Sequence, residues 1–324
     1  MKRNRMLAWI GLLAITISGL AVGSQAQKTK VTFKFKDVVV PGAVSIDAYG
    51  INNKKVIVGD YTDAAGREWG LYLKGAKLYK PSCPGYLDTR VYAVSAAGTA
   101  AVDCGDSGGG RAQKAHGNVQ QGLCDYIPCA LLYEGPVVSP PCDCPWEIYS
   151  IIDSFTEVQV GGWAQDGQGN THGFVGDVGA GTYQTLDVPG ALNTEVKGMN
   201  GAGMIVLQAI DSAGLQHAYL YDGKSYQNID VPGAWQSFVH GINNNGDMVY
   251  TVEDANGNSF GVFFYAALRQ LYWFNQPDGR DNTRAYGLND EVQTKTGVKL
   301  EIVGDYAVPG SNLSRAYEAT VNIK

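Results

Sequence analysis

Turns that contain aspartate are the most frequent groups in this sequence that could bind a ligand. The pattern Asp-x-x-Gly begins at Asp63, Asp166, Asp211 and Asp254. Calcium needs six to eight oxygen ligands with several carboxylates in one short loop, and each of these turns supplies one or two. Asp at the start of a turn also bonds its own backbone, and Gly accepts a positive φ. The pattern therefore favours hairpin turns, and we predict no metal site.

Two histidines occupy the same place in a recurring segment. His172 and His217 are each followed by a small residue and then by an aromatic one. A repeated His could line a metal site, but four ligands would have to converge there. The equivalent positions elsewhere hold Trp69, Phe260 and Arg315. This mixture of residue types favours a structural role for both histidines.

One segment resembles an enzyme motif. Residues 104–109, Cys-Gly-Asp-Ser-Gly-Gly, are similar to the nucleophile segment of chymotrypsin-like serine proteases. In that family the His base and the orienting Asp precede the Ser, whereas the first His of this chain, His116, follows Ser107. Ser107 therefore lacks the partners that would activate it. We interpret the segment as a Gly-rich loop and predict neither a catalytic residue nor a cofactor.

The cysteines are concentrated in one part of the chain. An even number of cysteines in an exported chain predicts up to three disulfides, with fifteen possible pairings. Zinc is the alternative, because two close pairs occur, but neither pair has the two-residue spacer of a zinc knuckle. We expect disulfides that hold an insertion at about 104–144. The six residues are Cys83, Cys104, Cys124, Cys129, Cys142 and Cys144.

Short segments recur in the same order and define the elements that position these residues. Pro-Gly suits a type II turn, and Asn-Gly or Asp-x-x-Gly suits a hairpin, so each unit reads as four short strands joined by tight turns. The recurring segments are Asp-Val-Pro-Gly-Ala at 187–191 and 230–234, Val-Pro-Gly-Ala at 40–43, Ile-Val-Gly-Asp-Tyr at 57–61 and 302–306, and Gly-Ile-Asn-Asn at 50–53 and 241–244.

The spacing of these units predicts the fold. Four strands in about 40–50 residues is the period of a propeller blade. A β-sandwich or barrel also has many short strands, but neither explains one motif that recurs in order. We predict an all-β, six-bladed β-propeller with four strands per blade. Residues 32–37 align with a fourth strand and residues 315–319 with a third, so we expect the N-terminal strand to close the ring. First strands are expected around Gly50, Ala93, Ser150, Gly198, Gly241 and Gly287.

The same segments resemble the bacterial extracellular repeat proteins of the HAF family. Repeats of that family combine Gly-Ile-Asn-Asn, Ile-Val-Gly-x-Tyr, His-Gly/Ala-Phe and Asp-Val-Pro-Gly-Ala. The resemblance covers roughly residues 33–320, and the insertion at about 104–144 interrupts it in the second copy. It implies a secreted repeat protein. The family carries no established catalytic motif that could be transferred to this chain.

The first residues have the layout of a secretory signal peptide. Three basic residues precede an apolar run over 6–22, and a small-residue site follows at 24–26. We predict cleavage after residue 26 and a single domain over 27–324. The run is short for a membrane anchor. The expected product is a secreted or periplasmic monomer with no membrane span.

Composition and charge exclude several classes of protein. The chain has 42 Gly, 45% hydrophobic residues and 17% charged residues, which excludes a disordered chain and a coiled coil. Without the three basic residues of the leader, 22 basic residues face 31 acidic ones, a net charge of −9. An acidic surface repels nucleic acid and anionic lipid.

The favoured function is binding without catalysis. We expect an exported module for a glycan or protein of the envelope or the extracellular space. In a propeller the Asp-x-x-Gly turns and the Pro-Gly-Ala turns share a face, which makes the turn aspartates candidate ligand-binding residues. Trp235 follows one Pro-Gly-Ala and could stack on a sugar ring or pack between blades.

The alternative is an extracellular glycan-active hydrolase or lyase. Propellers host such chemistry, and glycoside cleavage needs two carboxyl groups about 5–10 Å apart. The strand sequences place few acids inward. Asp60, Asp103 and Asp305 nevertheless recur after the predicted second strand.

Overall fold

All regular elements in the described part of the chain are β-strands. The computed structural model describes residues 29–81, 88–105, 114–115, 146–153, 158–166, 170–177, 180, 182–279 and 281–324. The strands are β1 Val31–Asp37, β2 Ala43–Ile51, β3 Val56–Asp63, β4 Glu68–Lys74, β5 Lys77–Tyr79, β6 Asp88–Val94, β7 Ala100–Gly105, β8 Lys114–Ala115, β9 Trp146–Asp153, β10 Val158–Gln165, β11 Thr171–Asp177, β12 Thr182–Leu186, β13 Asn193–Met199, β14 Ile205–Ile210, β15 Gln216–Tyr221, β16 Tyr226–Asn228, β17 Gln236–Ile242, β18 Met248–Glu253, β19 Ser259–Tyr265, β20 Gln270–Phe274, β21 Thr283–Leu288, β22 Val292–Thr294, β23 Gly297–Ala307 and β24 Ser314–Ile323.

The strands form antiparallel sheets, and in five of them each strand pairs with the next one in the sequence. Four sheets have four strands each: β2 to β5, β9 to β12, β13 to β16 and β17 to β20. In the described residues, β6, β7 and β8 form a three-stranded sheet. The remaining sheet has the order β21-β23-β24-β1, with β22 paired to β23.

The first strands of the sheets meet one another. β2 contacts β6, β6 contacts β9, and the series continues through β13, β17 and β21, which contacts β2. Antiparallel sheets whose first strands gather around one axis define a β-propeller. The predicted all-β propeller fold is confirmed. We call β2, β6, β9, β13, β17 and β21 the inner strands, and the space between them the channel.

The turns have the geometry that the sequence predicts. The Ala43 N–H donates to the Val40 carbonyl over 3.2 Å, and Gly42 has a φ of 84°. Gly190 and Gly233 repeat this φ with 83° and 88°. A positive φ directly after Pro defines a type II turn. The Val-Pro-Gly-Ala segments therefore set the chain direction before an inner strand.

The glycine of Ile-Val-Gly-Asp-Tyr is required by a close approach between strands. A Cβ at Gly59 would lie 1.9 Å from the Asp47 carbonyl oxygen, and one at Gly304 would lie 2.0 Å from that of Arg284. The second strands β3 and β23 therefore press against the backbone of their inner strands at this position. At these two glycines no side chain fits without separation of the two strands.

The Asn of Gly-Ile-Asn joins one sheet to the next. Asn52 Nδ2 donates to the Ser95 carbonyl over 2.9 Å, and Asn200 Nδ2 donates to the Asn243 carbonyl over the same distance. Asn243 repeats this bond to the following sheet, at Asn289, over 3.1 Å. A buried amide with a backbone partner explains why Asn recurs at this place.

The first and last described strands share one sheet. β1 pairs antiparallel with β24, from Val31 opposite Ile323 to Asp37 opposite Tyr317. No helix in the described residues is long and apolar enough to cross a membrane.

Three predictions concern parts of the chain that lie outside the described residues. The signal peptide over 1–26 lies entirely outside the described residues. Cys104 lies in β7, and the other five cysteines lie outside the described residues. The signal peptide, the disulfides and the domain bounds stay predictions.

Candidate functional site

The two kinds of turn share one face of the propeller, as the repeat predicts. Ala43, at the start of β2, pairs with Asp63, at the end of β3. Gln236 and Glu253 pair in the same way at the start of β17. We call the side on which the inner strands begin the upper face. The Pro-Gly-Ala and Asp-x-x-Gly turns both lie on it.

The four predicted aspartates lie on four different sheets of this face, so they do not form one cluster. Each carboxylate is engaged by its own turn. Asp63 Oδ1 accepts from the backbone N–H of Ala65 and of Arg67, over 2.9 and 3.1 Å. A further bond from the Trp69 indole, the strongest contribution, helps to lower the pKa of Asp63. The observed role of these carboxylates is therefore to stabilise the hairpin turns. Their role in ligand binding stays a prediction.

His172 and His217 each lie between two aspartates. His217 Nδ1 is 2.7 Å from Asp230 Oδ2, and its Nε2 is 3.2 Å from Asp211 Oδ2. One aspartate begins the Asp-x-x-Gly turn, and the other begins Asp-Val-Pro-Gly-Ala. Sequence reasoning missed the second partner, although both segments recur together with the His. No group of three or more His, Cys, Asp or Glu in the described residues could hold a metal ion. The clusters are Asp166–His172–Asp187 and Asp211–His217–Asp230.

These clusters predict a stability that depends on pH. The hydrogen bond to Asp230 raises the pKa of His217, and at His172 two carboxylates raise the pKa against the effect of burial. A histidine whose pKa is raised in the folded state stabilises the protein fully at a pH below its unfolded pKa, about 6.5. This stabilisation is lost as the pH rises through the folded pKa. We expect the melting temperature to fall between pH 6 and pH 9, and to fall less in His217→Gln. The difference should correspond to less than about 1 kcal/mol because the cluster is solvated.

Calorimetry at several pH values measures this effect. Lys224→Gln, on the next exposed turn, is the matched control and should keep the wild-type profile. Identical profiles for His217→Gln and wild type would contradict the prediction.

Trp235 is exposed on the upper face. Its side chain is 57% exposed, so it does not pack between blades. Val44 and Leu192, at the same place after their own Pro-Gly-Ala segments, are also apolar and exposed. The backbone N–H groups of Leu192 and Trp235 each donate over 2.7 Å to the neighbouring second strand, which holds these positions. Three repeats therefore present an apolar side chain at the upper face.

An extra residue interrupts the pairing of every inner strand at an equivalent position. The register between β2 and β3, for example, shifts between Ala48 and Gly50. Such a β-bulge re-aims a side chain. In each repeat the bulged residue stands directly before the Gly, Ala or Ser of the first strand. The six residues are Tyr49, Tyr92, Tyr149, Lys197, His240 and Tyr286.

Four of the bulged side chains meet across the channel side of the inner strands. Ring centroids lie 5.3 Å apart for Tyr49 and Tyr92, 5.4 Å for Tyr49 and Tyr286, and 4.8 Å for His240 and Tyr286. Burial raises the pKa of Tyr49 and Tyr286 and lowers the pKa of His240 to about 3. These rings are therefore uncharged at neutral pH. We call Tyr49, Tyr92, His240 and Tyr286 the aromatic layer.

A second layer lies two residues earlier on the inner strands, nearer the upper face. Because side chains alternate along a strand, residues two apart share a face. This middle layer contains acids that sequence reasoning did not place inward. Among the described side chains it consists of Asp47, Arg90, Glu195, Phe238 and Arg284.

The charged side chains of the middle layer form hydrogen bonds with residues of other strands. Arg284 Nε donates to Asp305 Oδ1 over 2.6 Å, and Arg90 binds Glu68 through two nitrogens. Asp47 Oδ1 accepts from the Ser314 hydroxyl over 2.6 Å. The charged groups are therefore fixed in place by hydrogen bonds.

The acids of the Ile-Val-Gly-Asp-Tyr segments differ from their expected placement. Asp60 and Asp305 lie within strands, not after them, and are only 3% and 1% exposed. They stand opposite Asp47 and Arg284 in the strand register. Burial raises the pKa of both carboxyls, and at Asp60 the nearby Glu68 adds to the effect. Asp103 holds the same position in β7.

The opposite side of the channel is less charged. In β14 and β18 the positions equivalent to Asp60 hold Gln208 and Thr251. Phe238 stands opposite Thr251 in the register, and His240 follows it on the same strand. The channel wall therefore combines a charged part on β21, β2 and β6, an ion pair between Glu195 and Lys197 on β13, and an aromatic part on β17.

Comparisons with known proteins give structural neighbours only. No protein-family model matches the chain, and no curated protein matches it by sequence. A mutant of Aleuria aurantia lectin in complex with Fucα1-6GlcNAc aligns with a TM-score of 0.46 and 10% identity, over 89% of this chain and 96% of that chain. AofleA from Arthrobotrys oligospora aligns with a TM-score of 0.43 and 10% identity, over 91% of this chain and 90% of that chain.

A neighbour of another kind scores almost as high. TolB from Acinetobacter baumannii aligns with a TM-score of 0.40 and 11% identity, over 86% of this chain and 64% of that chain. Such scores define no shared site, so the functional argument rests on the residues of this chain.

Proposed function

We propose that this chain is an exported glycan-binding module that holds its ligand on the upper face of a β-propeller. The exposed Trp235 carries this proposal, because an indole stacks on the apolar face of a sugar ring. Val44 and Leu192 supply apolar surface at equivalent places, and the turn carboxylates lie on the same face, where they can accept hydroxyl protons. A small-ligand site usually combines a largely apolar surface with a few polar groups.

The proposed architecture is a single domain of six blades. The contacts of the inner strands and the pairing of β1 with β24 support a ring that the N-terminal strand closes. Such closure hides a sheet edge that would otherwise be free to pair with another chain. Membership of the HAF repeat family, export by a signal peptide and disulfides in the insertion belong to the same proposal.

A glycan array tests the role of Trp235. We expect purified chain to bind at least one glycan, and Trp235→Ala to weaken that binding by about tenfold or more, or about 1.4 kcal/mol. Trp273→Ala is the matched control, because Trp273 is 47% exposed but lies on β20, far from the inner strands. The control should bind as wild type does.

Three results would replace the proposal. Equal weakening in both tryptophan variants would mean that a general loss of stability, not a site, explains the effect. Capture of a protein with no glycan bound would assign the upper face to a protein partner. Turnover of a glycan that is lost in Asp60→Asn would favour the hydrolase or lyase.

A further inference from the structure

The channel wall contains charged and aromatic side chains that take no part in the proposed binding at the upper face. The aromatic layer lies at the level where the inner strands approach their ends, and the middle layer lies above it. At the level of the middle layer, charged side chains from β21, β2, β6 and β13 and an aromatic one from β17 line the wall. This arrangement places polar and apolar surfaces at the same height.

We propose that the channel receives one sugar ring of the bound glycan, between Phe238 and the charged residues of β2 and β21. A pyranose has an apolar C–H face and a polar hydroxyl edge, so a wall with one surface of each kind matches it. This inference rests on the proposed glycan binding and assigns a second place of contact. The uncharged aromatic layer lies below the ring, which therefore enters from the upper face.

The charged side retains donors for a ligand. Arg284 is 40% exposed although its partner Asp305 is almost fully buried, so part of the guanidinium reaches the channel. Among the described residues the guanidinium group makes one hydrogen bond, from Nε to Asp305. A guanidinium has five N–H donors. The remaining ones can bind hydroxyl oxygens, and Asp47 can accept hydroxyl protons.

The Asp60 carboxyl lies buried behind this part of the wall. Its Oδ2 lies 3.9 Å from Arg90 Nε, and the carboxyl also accepts a side-chain hydrogen bond from Tyr49. Asp60 stands directly opposite Asp47 in the register. Hydroxyl groups bound at Asp47 would bring new hydrogen-bonding groups to this part of the wall.

The charges at this height favour a neutral ligand over an ionic one. Asp47 offsets Arg90 and Arg284 in the middle layer, Glu195 is paired with Lys197, and buried Asp305 lies behind Arg284. A free anion would meet the acids, and a free cation would meet the two guanidinium groups. A neutral molecule with several hydroxyls can use both kinds of partner at once.

The test uses free monosaccharides as probes of the full chain. A panel of glucose, galactose, mannose, fucose and N-acetylglucosamine is titrated by calorimetry and by saturation-transfer NMR. We expect at least one sugar to bind wild type, and Trp235→Ala to bind it within about twofold of wild type. Phe238→Ala should weaken binding by about tenfold or more, which is about 1.4 kcal/mol. Asp47→Asn keeps the size of the side chain and should also weaken it, whether or not Phe238→Ala folds.

The outcomes separate this inference from the proposed function. No binding of any panel sugar at 50 mM would overturn the channel site, and so would binding that is lost in Trp235→Ala but kept in Asp47→Asn. Larger glycans that still require Trp235 would then leave the upper-face site standing. A panel sugar that binds through Phe238 while no larger glycan needs Trp235 would support the channel and remove the upper-face site.

Discussion

Replacing Gly59 with alanine is expected to lower the free energy of unfolding by about 3 kcal/mol. The new Cβ would lie 1.9 Å from the carbonyl oxygen of Asp47. That atom belongs to the backbone of the inner strand, so no side-chain rotation relieves the clash. Either β2 and β3 separate at this point or their hydrogen bonds distort. Urea unfolding followed by circular dichroism measures the change.

Two further glycine variants show whether the close approach is responsible. Gly304→Ala should repeat the loss, because its Cβ would lie 2.0 Å from the Arg284 carbonyl oxygen. Gly201→Ala should cost much less, since the nearest atom to its Cβ would be the side-chain oxygen of Asn244, at 3.1 Å, which can shift without separating two strands. A wild-type midpoint for Gly59→Ala would show that the strands adjust without loss.

Replacing Arg284 with methionine is expected to destabilise the protein by about 3 kcal/mol at pH 8, because it leaves a buried carboxylate without its partner. Asp305 is almost fully buried and accepts from Arg284 Nε over 2.6 Å. Burial raises the pKa of Asp305 even with Arg284 present. A carboxyl with a raised pKa in the folded state is tolerated best when protonated. The loss in Arg284→Met should therefore be smaller at pH 5 than at pH 8.

A double variant separates the charge from the packing. Arg284→Met combined with Asp305→Asn removes the uncompensated charge, so it should recover much of the stability and lose the dependence on pH. Lys36→Met is the matched control, because Lys36 pairs with Glu318 at the surface over 4.0 Å and should contribute little. A loss in Arg284→Met that is the same at both pH values and unchanged by Asp305→Asn would contradict this account.

Local chemistry explains why the fold could be predicted. The φ of 84° at Gly42 and the bond from Ala43 to Val40 depend on four consecutive residues. Turns of this kind recur in a fixed order, and their order alone indicates a propeller. The aspartate of each Asp-x-x-Gly turn was also correctly interpreted as a hairpin residue, because its partners lie two and four residues along the chain.

The partners of the titratable groups could not be predicted in the same way. His217 meets Asp230 because β15 and the segment that leaves β16 lie side by side, and only the pairing of those strands brings the two residues together. The exposure of Trp235 was left open by the sequence, since stacking between blades and projection from the upper face require the same residue type. Packing of the neighbouring sheet decides between them.

The sequence by itself determined the turns, the repeat order and the propeller, because each depends on backbone preferences and hydrogen bonds within a few residues. The tertiary structure alone decided which side chains meet in the channel. Tyr49 and Tyr286 lie 237 positions apart, yet their rings are 5.4 Å apart. A bulge in the pairing of each inner strand with its second strand directs these side chains towards the axis. Burial at the axis then shifts the pKa values of the residues that face it.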